Sequence, residues 1–136
     1  MMKGTNMTAN DLIKSAKLAA DNAYSPYSHF YVGAALLCKD GTLYTGCNIE
    51  NASFGVTCCA ERVALFKAVS EKKTEFSEIA IVGGKDKDYS SPCTPCGICR
   101  QALSEFCKPD FKVHLCEGDK IITLTLDKLL PHSFSL

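Results

Sequence analysis

The stretch Cys59-Ala60-Glu61-Arg62 places a thiol and a carboxyl two residues apart, and Pro95-Cys96-Gly97-Ile98-Cys99-Arg100-Gln101 places two thiols three residues apart. Three thiolates suit Zn²⁺, and three protein ligands leave a fourth coordination position open for water, as in catalytic zinc sites. A carboxylate beside such a water can accept its proton and return it. The pattern therefore predicts one zinc ion held by Cys59, Cys96 and Cys99, with Glu61 as the general acid and base.

The chain of 136 residues has the size of one domain. We expect residues 1–136 to form a single domain, with about residues 1–7 flexible. Its 15 basic and 15 acidic residues cancel, and no basic tract is present, so nucleic acid is not an expected partner. Residues 1–6 lack the apolar core of a signal peptide, and no apolar run approaches the roughly 18 residues of a membrane span. These features predict a cytoplasmic protein with no membrane partner.

Nine cysteines are present, and their odd number and the missing signal peptide favour reduced thiols over disulfides. Free cysteines behave as small hydrophobic residues, which is the interpretation for Cys38, Cys47, Cys107 and Cys116. The roles of Cys58 and Cys93 stay open. Each lies close to a proposed ligand, and Cys93-x-x-Cys96 forms a second pair that could bind a metal.

Apolar spacing and turn residues predict an alternating order of helices and strands. A helix over 8–24 has Thr8 as its cap, with Asp11 three residues later. The further elements are strands 30–38 and 43–48 joined by a hairpin turn, helix 57–72, strand 78–84, helix 98–107, strands 111–116 and 121–126, and a short helix 127–130. This order predicts an α/β fold, a three-layer α/β/α sandwich with a five-stranded mixed sheet.

The helix over 57–72 is predicted to be the buried central helix. Val63, Phe66 and Val69 recur along one face at helical spacing. Ala60, Ala64 and Ala68 allow the helix to pack closely against its neighbours.

The predicted ligands fall at the starts of two helices. Cys59 is expected in the first turn of helix 57–72, and Cys96 and Cys99 at the start of helix 98–107. The partial positive charge of a helix N-terminus lowers thiol pKa values and stabilises thiolates. Because three thiolates leave the zinc site with a formal charge of minus one, hydrogen bonds to the sulfurs are expected, and Arg62 and Gln101 are the candidate donors.

Further segments narrow the family: Ser25-Pro26-Tyr27-Ser28-His29-Phe30, Val32-Gly33-Ala34-Ala35-Leu36, Gly46-Cys47-Asn48-Ile49-Glu50-Asn51-Ala52 and Leu129-Leu130-Pro131. Together with the cysteine stretches, they resemble the small, homotetrameric cytidine deaminases of the three-cysteine zinc type, from about Asp11 to the C-terminus. The resemblance implies the cytidine deaminase fold and zinc-dependent hydrolysis of cytidine and deoxycytidine to uridine, deoxyuridine and ammonia, in pyrimidine salvage. It also implies a homotetramer whose sites are completed by neighbouring subunits.

The resemblance assigns a substrate-binding role to seven residues. The resemblance implies that Asn48 and Glu50 hydrogen-bond a ribose hydroxyl, particularly the 3′-hydroxyl, although the segment alone fits a turn equally well. The other five are Phe30 against the nucleoside, the Ala60 amide at the base O2, the Thr94 carbonyl at the amino group, and Phe54 and Phe134 from neighbouring subunits. The chain ends two residues after Phe134, which is a departure from the family.

Two alternatives stay open at this stage. In a structural zinc or redox module, Cys58 or Cys93 would complete a closed four-thiolate site, but such a site has no use for Glu61. A deaminase could instead act on a nucleoside analogue of the blasticidin S type, or edit RNA or single-stranded DNA, although no basic groove is apparent. A site that recognises only the 3′-hydroxyl cannot distinguish cytidine from deoxycytidine, because the two differ at the 2′ position.

Overall fold

Helices and strands follow one another in the predicted order. The computed structural model describes residues 2–3 and 6–136. Its elements are β1 (Met2–Lys3), α1 (Ala9–Ala20), β2 (Phe30–Cys38), β3 (Thr42–Cys47), a 3-10 helix (Phe54–Val56), α2 (Ala60–Ser70), β4 (Phe76–Lys85), α3 (Gly97–Phe106), β5 (Lys112–Glu117), β6 (Lys120–Thr125) and α4 (Leu126–Leu129). Within these described residues, no helix combines the length and the apolar character needed to cross a bilayer.

The strands form one mixed sheet in the order β1-β3-β2-β4-β5-β6. The β4–β5 pair is parallel and the other pairs are antiparallel, which confirms the mixed sheet of the five predicted strands. The two-residue strand β1, which pairs with Thr42 and Leu43 at the edge of the sheet, was not predicted. The predicted flexibility of residues 1–7 falls partly on residues 1, 4 and 5, which lie outside the described residues, and stays a prediction.

Helices cover both faces of the sheet, as a three-layer sandwich requires. On one face, α1 buries Leu12, Ile13, Ala16 and Ala20 against alternate residues of β2 and β4. On the other face, α2 and α3 bury the cluster that includes Ala60, Ala64, Leu65, Ala68, Leu103, Leu36, Ile79, Ile81, Val113 and Leu115. Because neighbouring residues of a strand point to opposite faces, the apolar strands β2 and β4 serve both layers.

Helix α1 begins as predicted and ends earlier. Thr8 and Asp11 form a reciprocal capping box, with N···O distances of 3.2 and 3.0 Å. The helix ends at Ala20 and not at Tyr24, because the backbone of Tyr24 pairs with the segment after β3. Its N–H donates to the Asn48 carbonyl, and its own carbonyl accepts from the Glu50 N–H.

Helix α2 begins at Ala60 and not at the predicted residue 57. Cys58 is extended and exchanges two backbone hydrogen bonds of 3.0 Å with Ile49, so the helix cannot start before it. The predicted apolar face was wrong in one respect, since Phe66 is half exposed while the alanines and Leu65 are buried. Small residues face the sheet because the two backbones lie very close.

Gly46 on β3 is the point of closest approach. A β-carbon placed on Gly46 would lie 2.4 Å from the Ala60 carbonyl oxygen and 2.6 Å from the Ala64 nitrogen. Both atoms belong to the backbone of α2 and cannot move aside independently. The absence of a side chain at Gly46 therefore sets the position of the first turn of α2, next to Cys59 and Glu61.

Candidate active site

Three cysteine side chains converge between the starts of α2 and α3. Cys59 is the N-cap of α2, one position before the first turn in which it was predicted, because Cys58 is held in the extended bridge. Cys96 is the N-cap of α3, and Cys99 lies in its first turn. Neither Cys59 nor Cys96 uses its sulfur to cap its own helix. The sulfurs are therefore available to one another and to a metal ion.

The sulfur spacing fits a zinc ion. The Sγ atoms of Cys59 and Cys96 are 3.7 Å apart, those of Cys96 and Cys99 are 3.5 Å apart, and all three lie within 4.8 Å of one another. Tetrahedral coordination with Zn–S bonds of about 2.3 Å separates sulfur ligands by about 3.8 Å. Thiolates are also the soft donors that zinc prefers. These three residues would hold the ion, and a fourth tetrahedral position would remain for a further ligand.

Cys58 and Cys93 lie outside this group of sulfurs. Among the described residues, the ligand atoms that cluster within 4.8 Å are those of Cys59, Cys96 and Cys99. Cys93 packs against the core on the α2 face, and a β-carbon on Gly83 would lie 2.6 Å from its sulfur. Burial raises the pKa of the Cys93 thiol to about 12. Cys93 therefore behaves as a neutral, packed side chain.

The cluster stabilises a thiolate at Cys59. Its hydrogen bond with Cys99, followed by its contact with Arg62, lowers the pKa of Cys59 to about 5. The same pairing and burial raise the pKa of Cys99. A divalent ion bound here would favour the thiolate form of all three cysteines, because bound metals deprotonate their thiol ligands.

The Arg62 side chain contacts the cluster, and its predicted role toward the bound metal stays a prediction. Its Nη2 atom is 3.5 Å from the Cys59 sulfur, and this contact raises the pKa of the guanidinium further. Its Nε atom is buried without a hydrogen-bond acceptor among the described residues. For Gln101, the described residues show no hydrogen bond from its side chain to a sulfur, so its predicted role stays a prediction.

Arg100 is a site residue that was missed in the sequence. Its Nε atom donates to the Pro95 carbonyl at 2.7 Å, and its Nη1 atom donates to the Leu129 carbonyl at 2.6 Å. The side chain thus fixes the loop before Cys96 to the end of α4. The first contact is local to the motif, but nothing in the sequence indicates a partner 29 residues away.

Glu61 is buried beside the sulfurs, with 4% of its surface exposed. Burial raises the pKa of its carboxyl to about 7, and the Cys59 thiolate raises it as well, while the Cys99 thiol acts in the opposite direction. An unpaired carboxylate is costly to bury, so a buried acid in the first turn of a helix needs a reason. Proton transfer next to the metal-ligand cluster provides one.

Asn48 uses both ends of its amide on the backbone of β2. Its Nδ2 atom donates to the Phe30 carbonyl at 2.8 Å, and its Oδ1 atom accepts from the Val32 N–H at 2.9 Å. The side chain therefore fixes the first residues of β2. One Nδ2 proton is left for a substrate, because a primary amide has two.

Glu50 holds the loop that precedes β2. Its Oε1 atom accepts from the backbone N–H groups of Tyr27 and Ser28 at 3.0 and 3.1 Å, and its Oε2 atom accepts from the Ser28 hydroxyl. The hydrogen bond from Ser28 is the largest cause that lowers the pKa of Glu50. The carboxylate also lines an open pocket of about 370 Å³ with Tyr27, Ser28, Asn51, Phe54 and Thr57.

The predicted aromatic contacts are exposed in the single chain. The exposed fractions are 39% for Phe30, 84% for Phe54 and 68% for Phe134. Thr94 is exposed and Ala60 is fully buried at the start of α2. Backbone N–H groups in the first turn of a helix have no acceptor within that helix, and binding of the base O2 by the Ala60 N–H stays a prediction.

Three convergent thiols with a buried carboxyl beside them define the site of a zinc-dependent hydrolase. A family model described as the cytidine and deoxycytidylate deaminase zinc-binding region matches residues 7–115. The chain belongs to this deaminase family, whose members hydrolyse carbon–nitrogen bonds, and it binds zinc. The resemblance in the sequence and the predicted α/β fold are confirmed.

Individual proteins agree with this assignment. A cytidine deaminase from Sporosarcina psychrophila is 49% identical over 131 residues, covering 95% of this chain and 93% of its own. One from Halalkalibacterium halodurans is 52% identical over 126 residues, covering 91% and 92%. The crystal structure of cytidine deaminase from Burkholderia pseudomallei has a TM-score of 0.86 and 44% identity, covering 94% and 100%. A blasticidin-S deaminase from Bacillus cereus is 30% identical over 140 residues, covering 98% and 99%.

Proposed function

We propose that this protein converts cytidine and deoxycytidine to uridine and deoxyuridine, with release of ammonia, and that it acts in pyrimidine salvage. The observation that carries the proposal is the burial of Glu61 beside the Cys59, Cys96 and Cys99 sulfurs. A structural zinc site needs no such carboxyl. The match to cytidine deaminases over nearly the whole chain supports the choice of substrate.

Glu61 would carry the protons of the reaction. When bound, Zn²⁺ supplies the chemistry of a water made acidic near neutral pH. Glu61 accepts a proton from the attacking water and delivers it to N3 of the base, which makes C4 electrophilic, and the water oxygen bonds to C4. It then moves the remaining hydroxyl proton to the amino nitrogen, so that the C4–N4 bond breaks, ammonia leaves and the C4 carbonyl forms. A pKa near neutrality suits a group that both accepts and returns a proton.

The substrate would lie between the cluster and the pocket beside Glu50. In this proposal Phe30 contacts the nucleoside, Asn48 and Glu50 bind the ribose, the Ala60 N–H binds the base O2, and the Thr94 carbonyl accepts from the amino group. The surroundings of Glu50 support its role more strongly than those of Asn48 do. Glu50 lines the pocket, whereas Asn48 is largely committed to the backbone of β2.

We further propose that the protein is a homotetramer in the cytoplasm and that it does not act on nucleic acid. Large exposed apolar side chains support the assembly, namely Phe54 at the pocket beside Glu50, Phe66 and Ile98 on α2 and α3, and Phe134 in the C-terminal segment. Such surfaces are typical of protein interfaces. In the tetramer, Phe54 and Phe134 would complete the sites of neighbouring subunits. The equal numbers of acidic and basic residues support a small, uncharged substrate.

Ultraviolet absorbance of the purified zinc protein tests the substrate directly. Cytidine and deoxycytidine should be converted, while CMP and blasticidin S should be poor substrates. The Glu61→Gln variant, purified in the same way, controls for a deaminase from the expression host. Preferential turnover of blasticidin S would identify an analogue deaminase, and turnover of none of the four compounds would refute the proposal.

A further inference from the structure

The loop before β2 is organised by the hydroxyl of Ser28. Its Oγ atom donates to Oε2 of Glu50 and accepts the backbone N–H of Phe30 at 3.0 Å. The second contact spans two residues, and such a serine turn is a local alternative to regular structure. His29 between them has a φ of 56°, in the left-handed region that histidine adopts more readily than most residues. Ser28 thus connects a carboxylate on one segment with an aromatic residue on another.

The two oxygens of Glu50 differ in what they can still accept. Oε1 already receives two backbone N–H groups, from Tyr27 and Ser28. Oε2 receives the Ser28 hydroxyl and retains a lone pair. A serine hydroxyl has a single proton, so its donation to Oε2 leaves its lone pairs for the Phe30 N–H. Oε2 is therefore the oxygen that remains for a ligand, and Ser28 fixes its direction.

We infer that Ser28 is a positioning residue for recognition of the sugar. Its hydroxyl orients Oε2 of Glu50 toward the ribose 3′-hydroxyl, and it holds the backbone of Phe30 in place for the same nucleoside. The inference rests on the proposed function, and it adds a residue to the site that does not itself touch the reacting atoms.

The surroundings of Glu50 are consistent with an acceptor that stays ionised. The Ser28 hydroxyl, then the two backbone N–H groups, keep the pKa of Glu50 below its ordinary value, and the charge of His29 acts in the same direction. An ionised carboxylate accepts hydrogen bonds and cannot donate one. It therefore suits the donor hydroxyl of a sugar.

The test compares cytidine with 3′-deoxycytidine in wild type, Ser28→Ala, Ser28→Thr and a control, Ser70→Ala. Ser70 is exposed, and its hydroxyl hydrogen-bonds only the Lys67 carbonyl within the part of the chain that the structure describes. Hydrogen bonds to charged groups predict that Ser28→Ala lowers kcat/KM for cytidine roughly 10- to 100-fold, mostly through KM. For 3′-deoxycytidine, the kcat/KM of Ser28→Ala should differ from that of wild type by less than about threefold, because this substrate lacks the 3′-hydroxyl that Glu50 would bind. Ser28→Thr, which keeps the hydroxyl, should retain the preference for cytidine.

Equal losses for both substrates in Ser28→Ala would overturn the inference, since a residue that only supports the loop affects both alike. A wild type that does not distinguish the two substrates would also overturn it. If Ser28→Ala does not fold, the Ser28→Cys variant replaces it, because a thiol of similar size is a weak donor.

A failure of the proposed function can be recognised separately. A wild type that does not convert cytidine contradicts the deaminase proposal, and the same variants are then compared by calorimetric binding of uridine and 3′-deoxyuridine. A preference for uridine that Ser28→Ala abolishes supports the inference without turnover. Equal binding of both ligands, or binding of neither, overturns it.

Discussion

The Nη2 atom of Arg62 lies 3.5 Å from the Sγ atom of Cys59. Because Cys59 precedes the first residue of α2 and Arg62 is the third residue of that helix, one helix supplies both a sulfur ligand and the cation that contacts it. A positive charge at this distance withdraws electron density from the sulfur and offsets the excess negative charge of three thiolates. We therefore expect the guanidinium to be part of the metal site without being a ligand.

Replacing Arg62 by glutamine should weaken zinc binding by about 10- to 100-fold, the usual cost of losing a partner of a metal ligand. Competition with a chromogenic chelator measures the affinity. Lys67→Gln removes a positive charge from an exposed position of the same helix, and it should leave the affinity unchanged. Equal effects of the two variants would mean that only the net charge of the helix matters.

Removing a ligand should release the metal, whereas removing a neighbouring thiol should not. Cys96→Ala is expected to lose zinc, since two thiolates cannot replace three. Cys93→Ala should retain one zinc ion per chain, because its sulfur lies outside the cluster. Metal analysis of both purified variants tests these two expectations. A Cys93→Ala protein without zinc, next to a Cys96→Ala protein with it, would refute the ligand assignment.

Glu61→Gln should keep the fold and the zinc while losing turnover. An amide of the same size can hydrogen-bond a water but cannot carry its proton. General acid–base catalysis contributes roughly 10² to 10⁴ in rate, and a residue that serves several transfers should lie at or beyond the upper end of this range. Steady-state kinetics and metal analysis are measured on the same sample. A loss below about tenfold would identify another residue as the proton carrier.

Gly46→Ala should destabilise the protein and weaken its zinc site together. The added methyl would meet the backbone of α2 at 2.4 Å, and overpacking of this kind costs about 1–3 kcal/mol. Because α2 carries Cys59, its displacement also misplaces a sulfur. Gly55→Ala is the matched control, since nothing lies within 4 Å of its added carbon. Denaturant unfolding and chelator competition should both separate the two variants.

Mixed oligomers test whether Phe134 serves a neighbouring site. Glu61→Ala chains lack the proton carrier, and chains truncated before Phe134 lack the proposed aromatic cover, so each pure oligomer should be weakly active. Mixing dissociated chains should restore activity, because some sites combine an intact Glu61 with a neighbour's Phe134. Size and mass measurements establish that hybrids form. If hybrids show only the sum of the two weak activities, Phe134 does not act between subunits.

Local sequence patterns were sufficient to predict the helices and strands and the three cysteines whose sulfurs converge. The Thr8–Asp11 capping box and the boundaries of β2 follow from short-range chemistry, and the structure agrees with both. The start of α2 was predicted three residues too early, because the bridge between Cys58 and Ile49 joins segments that are distant in sequence. Long-range pairing overrides helical spacing there.

Contacts between segments that are distant in sequence also limit the prediction of residues around the site. Arg62 could be predicted because it lies in the motif beside its partner. The contacts of Arg100 with Leu129 and of Ser28 with Glu50 span 29 and 22 residues, and no spacing rule connects such positions. The sequence therefore identifies the groups that do chemistry more readily than the groups that hold them in place.

Arg100 joins the loop before Cys96 to the carbonyl of Leu129, five residues before Phe134. In the proposed tetramer that tail belongs to another chain's site. The guanidinium would then connect the metal-binding loop of one subunit with the segment that completes a neighbouring site. A substitution of Arg100 would therefore affect two sites in such an assembly, its own metal-binding loop and the aromatic cover of a neighbouring subunit.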